Sequence, residues 1–179
     1  SNAAGTLTVS FNAAGTIVDG DILRNTSSGY TANKVNVNVN TDAIFNGTVT
    51  VNALTLADAA AGHTLTLTGA TTVSSTTSLG LESQLSNAGT LTLGGTVAFG
   101  KNSIVNTGNG SVGFADNSII FDITHLTCTE NEGTYTYTLF NGGDVDLSVF
   151  SVSNLRGVET FGKKWVFGHD GTISYTITS

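Results

Sequence analysis

The chain has 179 residues, of which 11 % are charged, against roughly 25 % in an average globular protein. Its net charge of −7, from six basic and thirteen acidic residues, repels a phosphate backbone, and no Lys/Arg stripe localises an exception, which argues against nucleic acid as a partner. No apolar run approaches the roughly 20 residues of a membrane helix, and a single cysteine, Cys128, rules out a disulfide framework and zinc sites needing several cysteines.

Thr, Asn, Ser and Gly fill the polar positions that charges vacate. They hydrogen-bond along stacked strands without the desolvation cost of a buried charge. Val, Ile, Leu and Phe alternate with them, which argues against disorder. There is no proline to break a strand ladder. Ser1-Asn2-Ala3 resembles the remnant of a cleaved purification tag, and with the lack of methionine it reads as a mark of an excised piece.

The first predicted strand is Thr6–Phe11, opened by Gly5-Thr6-Leu7-Thr8-Val9. The same cue returns at Gly47-Thr48-Val49-Thr50-Val51 and Gly89-Thr90-Leu91-Thr92-Leu93, with weaker copies at Gly15-Thr16-Ile17 and Gly110-Ser111-Val112. Gly47, Gly69, Gly89 and Gly110 lie 22, 20 and 21 residues apart. A period of about twenty, with a turn and a few short strands per unit, predicts a β-solenoid. Glycine at each unit suits a corner that needs positive φ.

The early part fits the period less well, and Asn25-Thr26-Ser27-Ser28-Gly29-Tyr30 reads as a loop inserted in an early rung. Lys34–Val39 follows, with valines predicted inward and Asn36, Asn38 and Asn40 in amide ladders or in solvent. Further strands are predicted over Thr48–Leu56, Thr64–Thr68, Thr90–Leu93, Thr96–Phe99 and Ser118–Ile123. Ala57, Ala59, Ala60 and Ala61 make Thr55–Gly62 the one candidate helical turn.

Composition shifts near residue 126. Tyr135, Tyr137, Phe140, Phe150, Phe161, Trp165, Phe167 and Tyr175 all lie beyond it, and the repeating cue stops. Tyr135–Phe140, Val145–Val152, Trp165–Phe167 and Ile173–Ile177 read as strands of an antiparallel element with Gly-Gly and Asp-Gly turns. An open solenoid end needs covering. The predicted organisation is a tag remnant (1–3), β-solenoid repeats (4–125) and a C-terminal β cap (126–179). The predicted fold class is all-β, a parallel β-helix with an antiparallel C-terminal cap.

The cue Asn87-Ala88-Gly89-Thr90-Leu91-Thr92-Leu93 resembles repeats in the passenger regions of bacterial autotransporters and related large exported adhesins. The tail is similar to the ends of such regions: a tyrosine-rich strand reaching Leu139-Phe140, an aspartate-bearing segment, a tryptophan strand and a last Gly-Thr-aliphatic strand. The resemblance implies a parallel β-helix, mostly right-handed in those passengers, an extracellular or cell-surface location, and an adhesive role.

Candidate chemistry is sparse. Asp19-Gly20-Asp21 and Asp144-Val145-Asp146 each bring two carboxylates together, but Ca²⁺ takes six to eight oxygens and neither pair has a known loop spacing. Asp144 and Asp146, on a shared strand face, are the better pair. His63, His125 and His169 have no metal-ligand spacing, and no cofactor or metal site is predicted. Cys128 and His125 point to opposite faces of an extended strand, which weakens a thiol–base pair. The acids Asp42, Asp58, Glu82, Asp116 and Asp122 and the bases Arg24, Lys34 and Lys101 sit at dissimilar offsets from the glycine cue, so a catalytic face is not expected. Trp165, Tyr135 and Tyr137 are the candidate ligand-binding residues, because apolar sugar faces stack on flat rings; the competing reading is that they fill the cap core.

The favoured function is a non-catalytic adhesin or scaffold fragment of a larger exported bacterial protein, meeting a host or cell-surface glycan or protein, without membrane insertion by this fragment. Two other classes stay open: a carbohydrate-active β-helix (polysaccharide lyase or hydrolase), and a glycan-binding β-sandwich module.

Overall fold

The structure is a computed structural model describing residues 5–27, 33–129, 131–157 and 164–178. The start of the chain at 1–4, Ser28–Tyr30 of the expected Asn25–Tyr30 loop, and Phe161 lie outside the described residues. Among the described residues the regular secondary structure is strand apart from one short 3-10 turn, and the strands of the repeating part pair in parallel.

The chain winds around three faces. The first face stacks β1 (Thr6–Phe11), β4 (Lys34–Val39), the second half of β6 (Val49–Leu56), the second half of β8 (Thr71–Leu79), β11 (Thr96–Phe99), β14 (Ile120–Asp122) and β17 (Leu155–Arg156). The second stacks β2 (Thr16–Val18), β5 (Ala43–Phe45), β7 (Thr64–Leu67), β9 (Gln84–Asn87), β12 (Ile104–Thr107) and β16 (Phe140–Asn141). The third stacks β3 (Ile22–Leu23), the first halves of β6 and β8, β10 (Thr90–Leu93) and β13 (Ser111–Phe114). Strands β6 and β8 bend from the third face to the first, and one rung later Gly94-Gly95 breaks that bend into two strands. This is the expected parallel β-helix, and its parallel pairing excludes the β-sandwich architecture.

Register explains the glycine spacing. Val49 pairs with Thr71, Thr71 with Leu91, and Leu91 with Val112, one turn at each step. Gly47, Gly69, Gly89 and Gly110 precede these strands and form a column with Gly20. A Cβ built on each of the four would overlap the carbonyl oxygen of the glycine one turn earlier. The reason for glycine here corrects the expectation: none of the four has positive φ, and what the position demands is close backbone approach. Gly5 and Gly15, which carry the cue in sequence, are outside this column; Gly20 begins it.

Alternation puts one residue in two inside. The inward columns run Val37–Leu54–Thr77–Val97–Phe121 and Val39–Leu56–Leu79–Phe99 on the first face, and Ala43–Leu65–Leu85–Val105–Phe140 on the second. All but Thr77 belong to the buried apolar core. Aliphatic residues fill the middle rungs and phenylalanines the ends. Phe11 and Phe45 meet at 5.0 Å near the first rung. At the far end Phe114 packs edge-on against Phe121, Phe140 and Phe150 at 5.6, 5.6 and 5.2 Å.

Beyond β14 the chain makes an excursion and returns. β15 (Gly133–Thr138) leads into β16 on the second face; β17 then rejoins the first face. Between them Val145–Val152, expected as a strand, is irregular. Val145, Leu147 and Phe150 are buried, so the segment lays its apolar residues over the last rung, and a short 3-10 turn (Val152–Asn154) closes it. Asn154 pins that turn: its amide donates to the carbonyls of Asn117 and Ile119, and its Oδ1 accepts from the Ser151 N–H. Strands β15, β18 (Trp165–Phe167) and β19 (Thr172–Ile177) form a three-stranded antiparallel sheet with β19 in the centre.

One other local expectation is corrected. Thr55–Gly62 contains no helical turn: Thr55 and Leu56 end β6 and the rest is a corner. Among the asparagines of β4 and its end, Asn40 makes the amide ladder, donating to Asn12 at 2.6 Å.

Candidate functional site

The three aromatic candidates converge. Tyr135 and Tyr137 on β15 and Trp165 on β18 flank Tyr175 on β19, at ring-centroid distances of 5.2, 6.3 and 4.8 Å. Period-two alternation puts all four on one sheet face. Tyr175 is buried and the other three are half-buried. The excursion after β14 lies against this face. The Tyr137 hydroxyl donates to the Thr127 carbonyl at 2.6 Å, and Tyr135 to the Asn131 carbonyl at 3.2 Å. The Tyr175 hydroxyl meets both the N–H and the carbonyl of Thr129. Burial, with a side-chain hydrogen-bond interaction with Tyr175, holds the Tyr137 phenol above its ordinary pKa. The rings thus pack a small core under this strap. Trp165 meets Tyr175 edge-on, which leaves part of its indole at the surface.

Cys128 lies on the strap, exposed, with its sulfur 4.0 Å from the Tyr137 hydroxyl. His125 lies in a groove elsewhere, described below.

Asp144 and Asp146 do not share a strand face as expected. Asp144 occupies a turn at φ 49° after Gly142-Gly143. Asp146 Oδ1 accepts from the Ser148 N–H at 2.8 Å and its Oδ2 lies 3.0 Å from His169 Nδ1. Hydrogen bonds from Ser148, then from His169, pull the Asp146 carboxyl down to about 2. Both oxygens are engaged by protein groups. Among the described residues no three His, Cys, Asp or Glu side chains come together as metal ligands.

Asp19 and Asp21 have a different use. Asp19 accepts from the Asn46 amide at 2.7 Å, and Asp21 from the Thr48 N–H at 2.7 Å, each one turn later. Asp42 does the same for Thr64 N–H, Asp58 for Leu81 N–H and Glu82 for the Asn102 amide. These carboxylates are rung-to-rung pins, and the signal in the sequence is an acid about one period ahead of a Gly-Thr or corner residue.

One groove escapes a sequence reading. It has a volume of about 500 Å³ and runs across successive rungs at the end of the first face. Asp58, Gly80, Lys101, Asp122 and His125 line it. Their offsets from the glycine cue differ, yet register collects Asp58, Lys101 and Asp122 where their first-face strands end. Asp122 accepts from the Thr124 N–H and hydroxyl and stands 4.0 Å from Arg156.

Among the described residues no helix is long and apolar enough to cross a membrane. No protein family, no curated protein and no solved structure matches the chain.

Proposed function

We propose that this chain is a non-catalytic scaffolding or adhesive stretch of a larger exported surface protein, of the autotransporter-passenger kind it resembles. The carrying observation is the use of its carboxylates: Asp19, Asp21, Asp42, Asp58 and Glu82 each hold the following rung. A general acid or base needs a carboxyl group free to meet substrate; these are committed to stacking. The partner is a glycan or protein on a host or neighbouring cell. For a glycan, the surface part of Trp165 is the ring face available for stacking, beside Tyr135 and Tyr137 packed under the strap.

The groove lined by Asp58, Lys101, Asp122 and His125 favours a second reading, a carbohydrate-active β-helix. One experiment separates the two. The purified chain is incubated with a panel of acidic and neutral polysaccharides while new reducing ends and unsaturated products are followed. The scaffold reading expects none. Turnover that Asp122→Asn abolishes would overturn it.

A further inference from the structure

The two ends of the solenoid differ. At the C-terminal end Val145, Leu147 and Phe150 close the last rung. At the N-terminal end β1, β2 and β3 each pair on one side only, with β4, β5 and β6, among the described residues. Register places Val9, Phe11, Val18 and Ile22 in the inward columns of Val37, Val39, Phe45 and Val49. Those partners are at most 1 % exposed. The four first-rung residues are only half-buried, and Leu7, in register with Val35, is 59 % exposed. Among the described residues all three faces therefore present an open backbone edge around an uncovered apolar core. Such an edge templates further strand pairing.

Hydrogen-bond polarity says what pairs with it. Every inter-rung carboxylate bond described has its acid on the earlier rung and its donor on the later one. The asparagine ladders Asn12–Asn40 and Asn106–Asn141 run the same way. At these corners the first rung thus turns donors outward, while its strand edges, like any parallel edge, carry both N–H and C=O groups: the Asp21 N–H occupies the register position of the Thr48 N–H that Asp21 itself receives. A second copy related by a two-fold axis would set these corner donors against one another. A head-to-tail copy would need an open C-terminal rung, and that end is filled by Phe150 and its neighbours. A rung of the same sense fits: three short parallel strands carrying inward aliphatic side chains and acceptor corners.

We propose that the N-terminal edge is a docking surface for one further β-solenoid rung running in the same sense. The inference stands on stacking geometry and is independent of the adhesive reading.

The test supplies that rung. A second copy of residues 76–92 joined directly to Gly5 sets its Thr76 twenty positions ahead of Thr8, the spacing at which Thr76 pairs with Thr96. Stacked repeats add stability with each interface, so the extended chain should melt at least about 4 °C higher. The same extension carrying Leu79→Asp, Leu85→Asp and Leu91→Asp in the added copy alone should give no rise. An extension that leaves the melting temperature unchanged or lowers it overturns the proposal. So does sedimentation showing the unextended chain as a dimer that Val9→Lys dissociates, since the occupant is then a second copy.

Discussion

Buried threonines mark where this core departs from a purely apolar one. Thr71 and Thr77 point inward from β8 at 1 % and 0 % exposure, and neither hydroxyl has a hydrogen-bond partner among the described residues. Thr77 sits in a column between Leu54 and Val97. An unpaired buried hydroxyl costs about 1 kcal/mol or more, while its β-branched shape suits a strand. Thr77→Val keeps that shape and removes the hydroxyl. It should raise stability by about 1 kcal/mol, read as a higher denaturant midpoint with an unchanged slope. A variant no more stable than the parent would mean that the hydroxyl is satisfied.

At the scale of elements, sequence legibility follows how cleanly polar and apolar residues alternate. Strands such as Thr90–Leu93 and Lys34–Val39 are evident because Thr or Asn faces out and Leu or Val faces in. Thr71–Leu79 is hidden, since its inward positions include Thr71 and Thr77 and its pattern looks polar on both faces. Val145–Val152 misleads in the opposite direction: its apolar residues imitate a strand but are the plug over the last rung. The glycine period is readable because close backbone approach recurs every turn. The groove is not, because its walls come from rungs with corners of unequal length. The plug yields a prediction. Phe150 packs edge-on against Phe114 and Phe121 at 5.2 and 5.1 Å, and Phe150→Ala leaves both uncovered. It should cost about 3 kcal/mol by denaturant unfolding. A loss below about 1 kcal/mol would mean that the segment does not close the core.

On the scale of the whole molecule, each rung touches only its neighbours, so the columns propagate order along the axis and the ends carry the exceptions. The aromatic cluster around Tyr175 illustrates how far sequence reaches toward a site. Alternation alone puts Tyr135 and Tyr137 on one face of a strand. That Trp165 joins them, and that the segment after β14 covers them, depends on an antiparallel register no local pattern encodes. The central claim is the stacking of residues distant in sequence at one inter-strand step per turn. Outward positions on the second face test it: Ile17, Ser86, Asn106 and Asn141 lie in one column through Ile44 and Thr66. Spin labels are placed in pairs at Ile17 and each of the other three, in a Cys128→Ser background. Distances should rise in equal increments, about 14 Å to Ser86, about 19 Å to Asn106 and about 24 Å to Asn141, although the last gap in sequence is far longer than the one before. Distances that jump with sequence separation, or that fold back on themselves, would contradict the parallel β-helix.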